Sequence, residues 1–343
     1  YDGFIAQHIA RYGNAGRGTV SYLSSTTIEE FIHLMGQCLQ DKIVNEIKQS
    51  KYFSVSVDST PDVANHDQLT FTVRYVCSDS MQPVERFIKF VNISSHTGSD
   101  LFDVMKDTFT NLSVDLRDCR GQSYDNAAKS LCGHSNWKEK RALKRKRMAD
   151  DGSDTEIIQT REKQFETMVF FVIVDTIASH LQQRINAYAE IEERFVFLSM
   201  HHADDSDSVK KSLMEVVDFY VGDIDVGIID EWLQWTAVVN GLGRQWPSPS
   251  EMLAIMTQSK IQSAFPNLFI LLRIYLTLPI TNCTGERSIS HLKRIKNYLR
   301  STTGQNRLSD LAMLNIEADL LRTIDFTQLI DGFAAAKSRR RPL

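Results

Sequence analysis

The nine residues Tyr52–Thr60, YFSVSVDST, constrain the fold of this chain more than any other stretch. Phe53, Val55 and Val57 alternate with Ser54 and Ser56, the two-residue period of a strand. Asp58 follows, placed by this pattern at the strand's end, ahead of Ser59, Thr60 and the turn residue Pro61. A carboxylate at the tip of a central strand is where many enzymes anchor a metal ion. It is equally an ordinary strand-end acid, and this stretch alone leaves both open.

The flanking segments predict a sheet around it. Upstream, Ser24–Ser50 places Ile28, Phe31, Ile32, Met35, Cys38, Leu39, Ile43 and Ile47 at helical steps. Ser25, Thr26 and Thr27 offer N-caps there, with Glu29 and Glu30 in the first turn. Downstream, Gln68–Cys77 and Val84–Ile93 alternate as strands. The connections are too short for a parallel crossover, so three strands in a row predict an antiparallel meander. Ser99–Leu112 reads as a helix with Leu101, Phe102, Met105, Phe109 and Leu112 on one side, and Asp115–Asp125 as a fourth strand with its following turn. The order is β-β-β-α-β, a mixed α/β (α+β) start with an extensive helical C-terminal region. Helices are expected over Gln164–Leu198, Val209–Tyr220, Ile228–Val239, Glu251–Ser263, Asn267–Leu278, from Glu286, and over Leu308–Leu321. Trp232, Trp235 and Trp246 read as helix-packing residues.

Composition narrows the class. With 343 residues, 42% hydrophobic and 24% charged, the chain has the make-up of a soluble globular protein. It starts at Tyr1 rather than Met, which leaves open a fragment of a longer protein or a shortened form. The net charge of −4 gives no global attraction to nucleic acid, so any such binding must come from local patches. No apolar run reaches the ~20 residues of a membrane span. Five scattered cysteines without a CxxC pair suit a reducing compartment and argue against a disulfide framework.

The charge is uneven. Lys138–Arg147 holds seven basic residues and one acid, and Ala149–Glu156 then turns acidic. This block reads as a solvated linker carrying a nuclear-import signal or a phosphate-binding arm, and it places the chain in the nucleus. His201, His202, Asp204 and Asp205 read as a polar loop rather than a metal site. The organisation expected is a helical N-terminal region (1–50), the first part of a core (51–130), a basic/acidic linker (131–163), a helical region (164–250), a C-terminal core and dimerisation region (251–330) and a basic tail (331–343).

Three acids stand out by placement: Asp58, Asp125 and Glu286, spaced 67 and 161 residues apart. Asp125 also suits a helix N-cap, and Glu286 a favourable first-turn position. Ile289, Leu292 and Ile295 form an apolar stripe that would turn Glu286 inward, toward a sheet. Three acids so placed are able to hold two divalent ions about 4 Å apart, and oxygen ligands suit Mg²⁺ or Mn²⁺. Between Arg287 and Ser309 there are six Lys/Arg residues and no acid. Arg287, Lys293, Arg294, Lys296 and Arg300 are therefore candidate phosphate contacts, the alternative being a solvated basic helix beside an acidic subunit surface.

The blocks VSVDST, CRGQSYDNAA and LPITNCTGERSIS resemble the three signatures of hAT-superfamily transposases, most closely the domesticated forms fused to MYM-type zinc fingers. The resemblance covers residues from about 1 to 330. It implies an RNase H-like core in which Asp58, Asp125 and Glu286 are the DDE triad, with Arg287 and Ser288 in the family's ER-S block. It further implies a dimerisation region from about Glu251, hence a homo-oligomer or heterodimer, and DNA as a partner. The family's helical insertion between its second Asp and its Glu is normally a few hundred residues, whereas the interval here is 161. Where the family has C-x-x-H, this chain has Cys132-Gly133-His134, one residue short. These departures imply a domesticated protein acting in dimerisation and nucleic-acid binding with catalysis reduced or lost. The alternative is an active metal-dependent DNA strand transferase or nuclease of the DDE type.

Overall fold

The structure, a computed structural model, describes residues 24–94, 97–124, 171–199, 206–241, 243, 245–279 and 283–338, with isolated positions 3, 6, 7 and 10. The chain divides into two compact units, residues 1–125 with 250–343, and residues 126–249.

In the first unit, α1 (Ser25–Ser50) starts where the Ser24 hydroxyl accepts from the Thr27 N–H at 3.2 Å. The cap thus lies one residue before the expected ones, and Glu29 and Glu30 fall past the first turn. Leu39, Ile43, Val44 and Ile47 form its buried stripe. Next come β1 (Phe53–Pro61), β2 (Asp67–Val76), β3 (Pro83–Ile93), α2 (Gly98–Asn111) and β4 (Cys119–Tyr124). Their order in the sheet is β3-β2-β1-β4. The first two pairings are antiparallel and β1–β4 is parallel. This is the β-β-β-α-β core expected from sequence, with α2 supplying the crossover that a parallel pair requires. On α2, Leu101, Met105 and Phe109 are buried, but Phe102 is 50% exposed, because it lies about 100° round the helix from Leu101.

The position of Asp58 differs from the expectation. β1 continues through it to Pro61, since Asp58 pairs with Thr70 and the antiparallel ladder runs on to Pro61↔Asp67. What ends beside it is the described parallel ladder, whose final pair is Val57↔Tyr124.

Register assigns the strand residues to two faces. On one face lie Phe53, Val55 and Val57 with their partners Tyr75, Val73 and Phe71, all buried. Phe109 stacks on Phe53 at 5.7 Å between centroids and meets Phe71 edge-on at 6.3 Å. The other face carries Ser54, Ser56 and Asp58, their partners Arg74, Thr72 and Thr70, and Gly121 and Ser123 of β4. At the β3 margin this second face turns apolar, with Phe87 opposite Thr72 and Phe90 opposite Thr70.

The C-terminal part of the unit comprises α6 (Pro249–Gln258), α7 (Pro266–Thr277), α8 (Cys283–Ile295), α9 (Gln305–Ile316), α10 (Ala318–Leu321) and α11 (Thr327–Ser338). The end of α7 is pinned to the second face: Ser54 Oγ donates to the Thr277 carbonyl, and Arg74 Nε donates to that of Leu276 at 2.9 Å. A Cβ at Gly121 would stand 2.9 Å from Pro279 Cδ, so only glycine admits the chain this close to β4. α8 packs against β1, β2 and β3, and α9 packs against α1 and β3.

The second unit contains α3 (Phe171–Ser199), α4 (Ser206–Phe219) and α5 (Ile228–Gly241). Its buried residues include Phe197, Leu198, Leu213, Val216, Trp232 and Trp235. Trp232 meets Phe197 edge-on at 5.0 Å and Trp246 at 5.7 Å, and the Trp246 indole N–H donates to the Leu198 carbonyl at 3.1 Å. The tryptophans are packing residues, as expected from sequence. Among the described residues no helix is long and apolar enough to cross a membrane.

Candidate functional site

The second face of the sheet is unusually polar for a buried surface. Asp58 is 7% exposed, Thr70 1% and Thr72 2%. The hydroxyls of Thr70 and Thr72 are buried without a hydrogen-bond partner. Each such group costs about 1–3 kcal/mol relative to a satisfied one, so two side by side call for a physical explanation. The donors here are carboxylate and hydroxyl oxygens, a set that suits a hard divalent cation.

α8 is fixed at both ends over this face. At its start the Thr284 hydroxyl donates to Glu85, whose other oxygen accepts from Arg74 Nη1 at 2.8 Å. Just past its end Lys296 Nζ lies 2.5 Å from Asp62 Oδ2, and both side chains are almost wholly buried. Asp62 also accepts from the Ala64 N–H at 2.7 Å, the His66 N–H at 3.1 Å and Gln68 Nε2 at 3.2 Å. Burial alone would push the Asp62 carboxyl up. The bonds from Lys296, His66, Ala64 and Gln68 outweigh it and hold the group below the usual carboxylate range. Gln305 Nε2 extends the network, donating to Gln68 Oε1 at 3.0 Å and to the Phe90 carbonyl at 2.9 Å.

These anchors set the rotation of α8 and correct two expectations. The inward line is Gly285, Ser288, Leu292 and Lys296, at three- and four-residue steps. Glu286 is exposed: it lies about 100° from Gly285 around the axis, while Ile289 and Ile295 are only half-buried on the flanks. Lys296, expected on a phosphate-binding face, is instead a buried partner of Asp62. Arg287, Lys293 and Arg294 remain exposed, as does Arg300 in the short helical turn Tyr298–Arg300. Glu286 in the first turn with Lys293 and Arg294 in the last also matches the helix dipole, a contribution of about 0.3–1 kcal/mol each.

Asp125 lies outside the described residues, as do Cys132, His134, Lys138–Arg147, His201, His202, Asp204 and Asp205. Among the described residues, no three His, Cys, Asp or Glu side chains are grouped as a metal site. Of the three acids singled out in the sequence, the structure therefore describes two: Asp58, buried on the polar face, and Glu286, on the surface of α8.

Several structuring residues escaped sequence reasoning. Asp62 follows Pro61 in a turn, where an acid that caps nearby N–H groups is a recognisable signal. Its partner 234 residues away is not. Glu317 is similar: buried, it accepts from the Phe87 N–H at 2.7 Å and from Arg86 Nη1 at 3.0 Å, and burial outweighs these bonds to raise its carboxyl.

A four-stranded mixed sheet of this order, with helices over both faces, defines an RNase-like domain, and comparison with known proteins agrees. Residues 13–131 match the family described as "ZMYM1/FAM200, RNase-like domain", and residues 245–320 match the "hAT family C-terminal dimerisation region". A 61-residue stretch is 41% identical to the "52 kDa repressor of the inhibitor of the protein kinase" of Mus musculus and of Homo sapiens. That stretch is 18% of this chain and only 8% of either relative. The chain is thus similar to hAT-derived proteins over these two stretches, an RNase-like domain followed in sequence by a dimerisation region, and it spans only a small part of the relatives it matches.

Proposed function

We propose that this chain is a dimerising, nucleic-acid-binding protein of hAT descent, with strand-cleaving chemistry reduced or lost. It forms a homo-oligomer or heterodimer through its C-terminal helices, and the basic segment Lys138–Arg147 directs it to the nucleus. One observation carries the nucleic-acid reading. Fixing Lys296 against Asp62 turns Arg287, Lys293 and Arg294 outward together, on a segment with no acid from Arg287 to Ser309. Such a face attracts phosphates whatever the net charge of the chain.

Duplex-DNA binding as a function of salt tests this. Four phosphate contacts from Arg287, Lys293, Arg294 and Arg300 give a log–log slope of about −3.6. Replacing Arg287, Lys293 and Arg294 by Glu removes most of that slope, whereas binding that ignores salt and the triple substitution rejects the reading.

The buried polar face supports a second reading, an active metal-dependent DNA strand transferase or nuclease. Val57 and Tyr124 are partners in the parallel ladder, and the next residue on each chain is an acid, Asp58 and Asp125. Those two carboxylates would hold Mg²⁺ or Mn²⁺, and Glu286, on the exposed side of α8, would join them as the third acid only if that helix turned. When bound, the ions activate a water or hydroxyl and stabilise the leaving oxygen of a phosphodiester. Mn²⁺-dependent nicking that disappears in Asp58→Ala would establish this reading over the first.

A further inference from the structure

We propose that Thr70 and Thr72 are positioning residues for a divalent cation at Asp58, their hydroxyls holding water molecules of the ion's hydration shell. This rests on the metal-binding part of the second reading, and it holds whether or not strand cleavage survives.

The geometry comes from the ladder. Thr70 is the cross-strand partner of Asp58, and Thr72 is the partner of Ser56. Directly opposed residues share a face with their Cβ atoms about 4.5–5.5 Å apart, and residues two apart on one strand are spaced about 7 Å. Both hydroxyls therefore lie within one water's reach of an ion bound to the Asp58 carboxylate. Mg²⁺ and similar hard ions keep several waters when bound by one or two carboxylates, and each such water needs acceptors. A threonine hydroxyl supplies an acceptor and a donor.

The alternatives explain less. Strand propensity would be met equally by valine, which β2 uses at Val73 on the opposite face. Nor do protein groups satisfy these two hydroxyls, both of which lack a partner at full burial. The structure also contains an internal control. Ser59 Oγ is likewise buried without a partner, but Ser59 pairs with Leu69, one residue along from Asp58 and so on the opposite face.

The test is Mn²⁺ binding to the full chain without nucleic acid, read by titration calorimetry and by the Mn²⁺ paramagnetic-resonance signal. Outer-shell partners typically change metal affinity by 10–100-fold, and a loss of about that size is expected for Thr70→Val with Thr72→Val. Thr70→Ser keeps near-native affinity, and Ser59→Ala leaves it unchanged. In metal-free buffer the Val variants melt at or above the parent temperature, because the buried hydroxyls they remove have no protein partner.

Val variants that bind within about twofold of the parent, while Asp58→Asn abolishes binding, overturn the positioning role and leave the metal reading intact. An equal loss in Ser59→Ala, or a lower melting temperature of the metal-free Val variants, also overturns it. Absence of Mn²⁺ binding, or binding indifferent to Asp58→Asn, removes the metal reading and the proposal together.

Discussion

The sheet of the first unit buries two faces, and they are held by different physics. Phe53, Val55, Val57, Phe71 and Val73 meet α1 and α2 chiefly through apolar area. Few directional bonds lie beside it: Tyr75 donates to Glu46 at 2.6 Å, and Arg86, the partner of Val73, pairs with Glu317. Each fully buried apolar side chain contributes about 1.5–3 kcal/mol, without regard to direction. The opposite face is held by directional bonds to segments far along the chain: Ser54 to Thr277, Arg74 to Leu276, Glu85 to Thr284 and Asp62 to Lys296. The apolar face stabilises the sheet. The polar face specifies where α7 and α8 lie and which way α8 is turned. It is also the face that carries Asp58, and a buried oxygen-rich surface of this kind offers chemistry that the aromatic face lacks.

Three tests probe that contrast. The largest effect is expected on the apolar side: Phe109→Ala removes the ring packed on Phe53 and Phe71 and costs about 3–5 kcal/mol by urea unfolding. A loss under 1 kcal/mol would mean that α2 is not what seals that face.

On the polar side, Lys296→Met keeps the volume but strands the Asp62 carboxylate, at a cost of about 3–5 kcal/mol near neutral pH. Adding Asp62→Asn recovers much of it. The pH dependence follows from the sign of the Asp62 shift. Its folded carboxyl is depressed below the ordinary 3.8. The stability it contributes is therefore complete above that value and lost as pH falls through the lower, folded one. The gap between parent and Lys296→Met should thus be widest near neutrality and close below pH 3.8. A gap that stays constant into acid would show that lost packing, rather than charge pairing, explains the cost.

The smallest and most discriminating effect comes from exchanging neighbours on β2. Val73→Thr puts a hydroxyl into the apolar face and costs about 1–3 kcal/mol. Thr72→Val in metal-free protein shifts stability by less than about 0.5 kcal/mol, or raises it. Equal costs for the two changes would mean that the faces do not differ as described.

Much of the sheet was legible because strand alternation and short turns are local signals. Phe53, Val55 and Val57 could only share a face, and the meander followed from connections too short to cross over. The rotation of α8 was not legible. Glu286–Ile289–Leu292–Ile295 and Gly285–Ser288–Leu292–Lys296 both run at helical steps through Leu292, and apolarity alone favours the first. The second prevails because Lys296 finds Asp62 in the turn after β1, and Thr284 finds Glu85 on β3, both more than 190 residues away in sequence.

By itself, then, the sequence determined the core elements, their β-β-β-α-β order, the hAT-like blocks and the membership of Asp58 in the first strand, though not that this strand runs on past it to Pro61. These depend on periodicity and on short blocks that each residue shares with its neighbours. Tertiary structure alone decided that Lys296 is a buried ion-pair partner, that Glu286 meets solvent, and that Thr70 and Thr72 stand unpartnered beside Asp58. The physical reason is that burying a polar group is favourable only where a particular partner waits. Such partners are brought together by the packing of distant segments, and no local pattern records them.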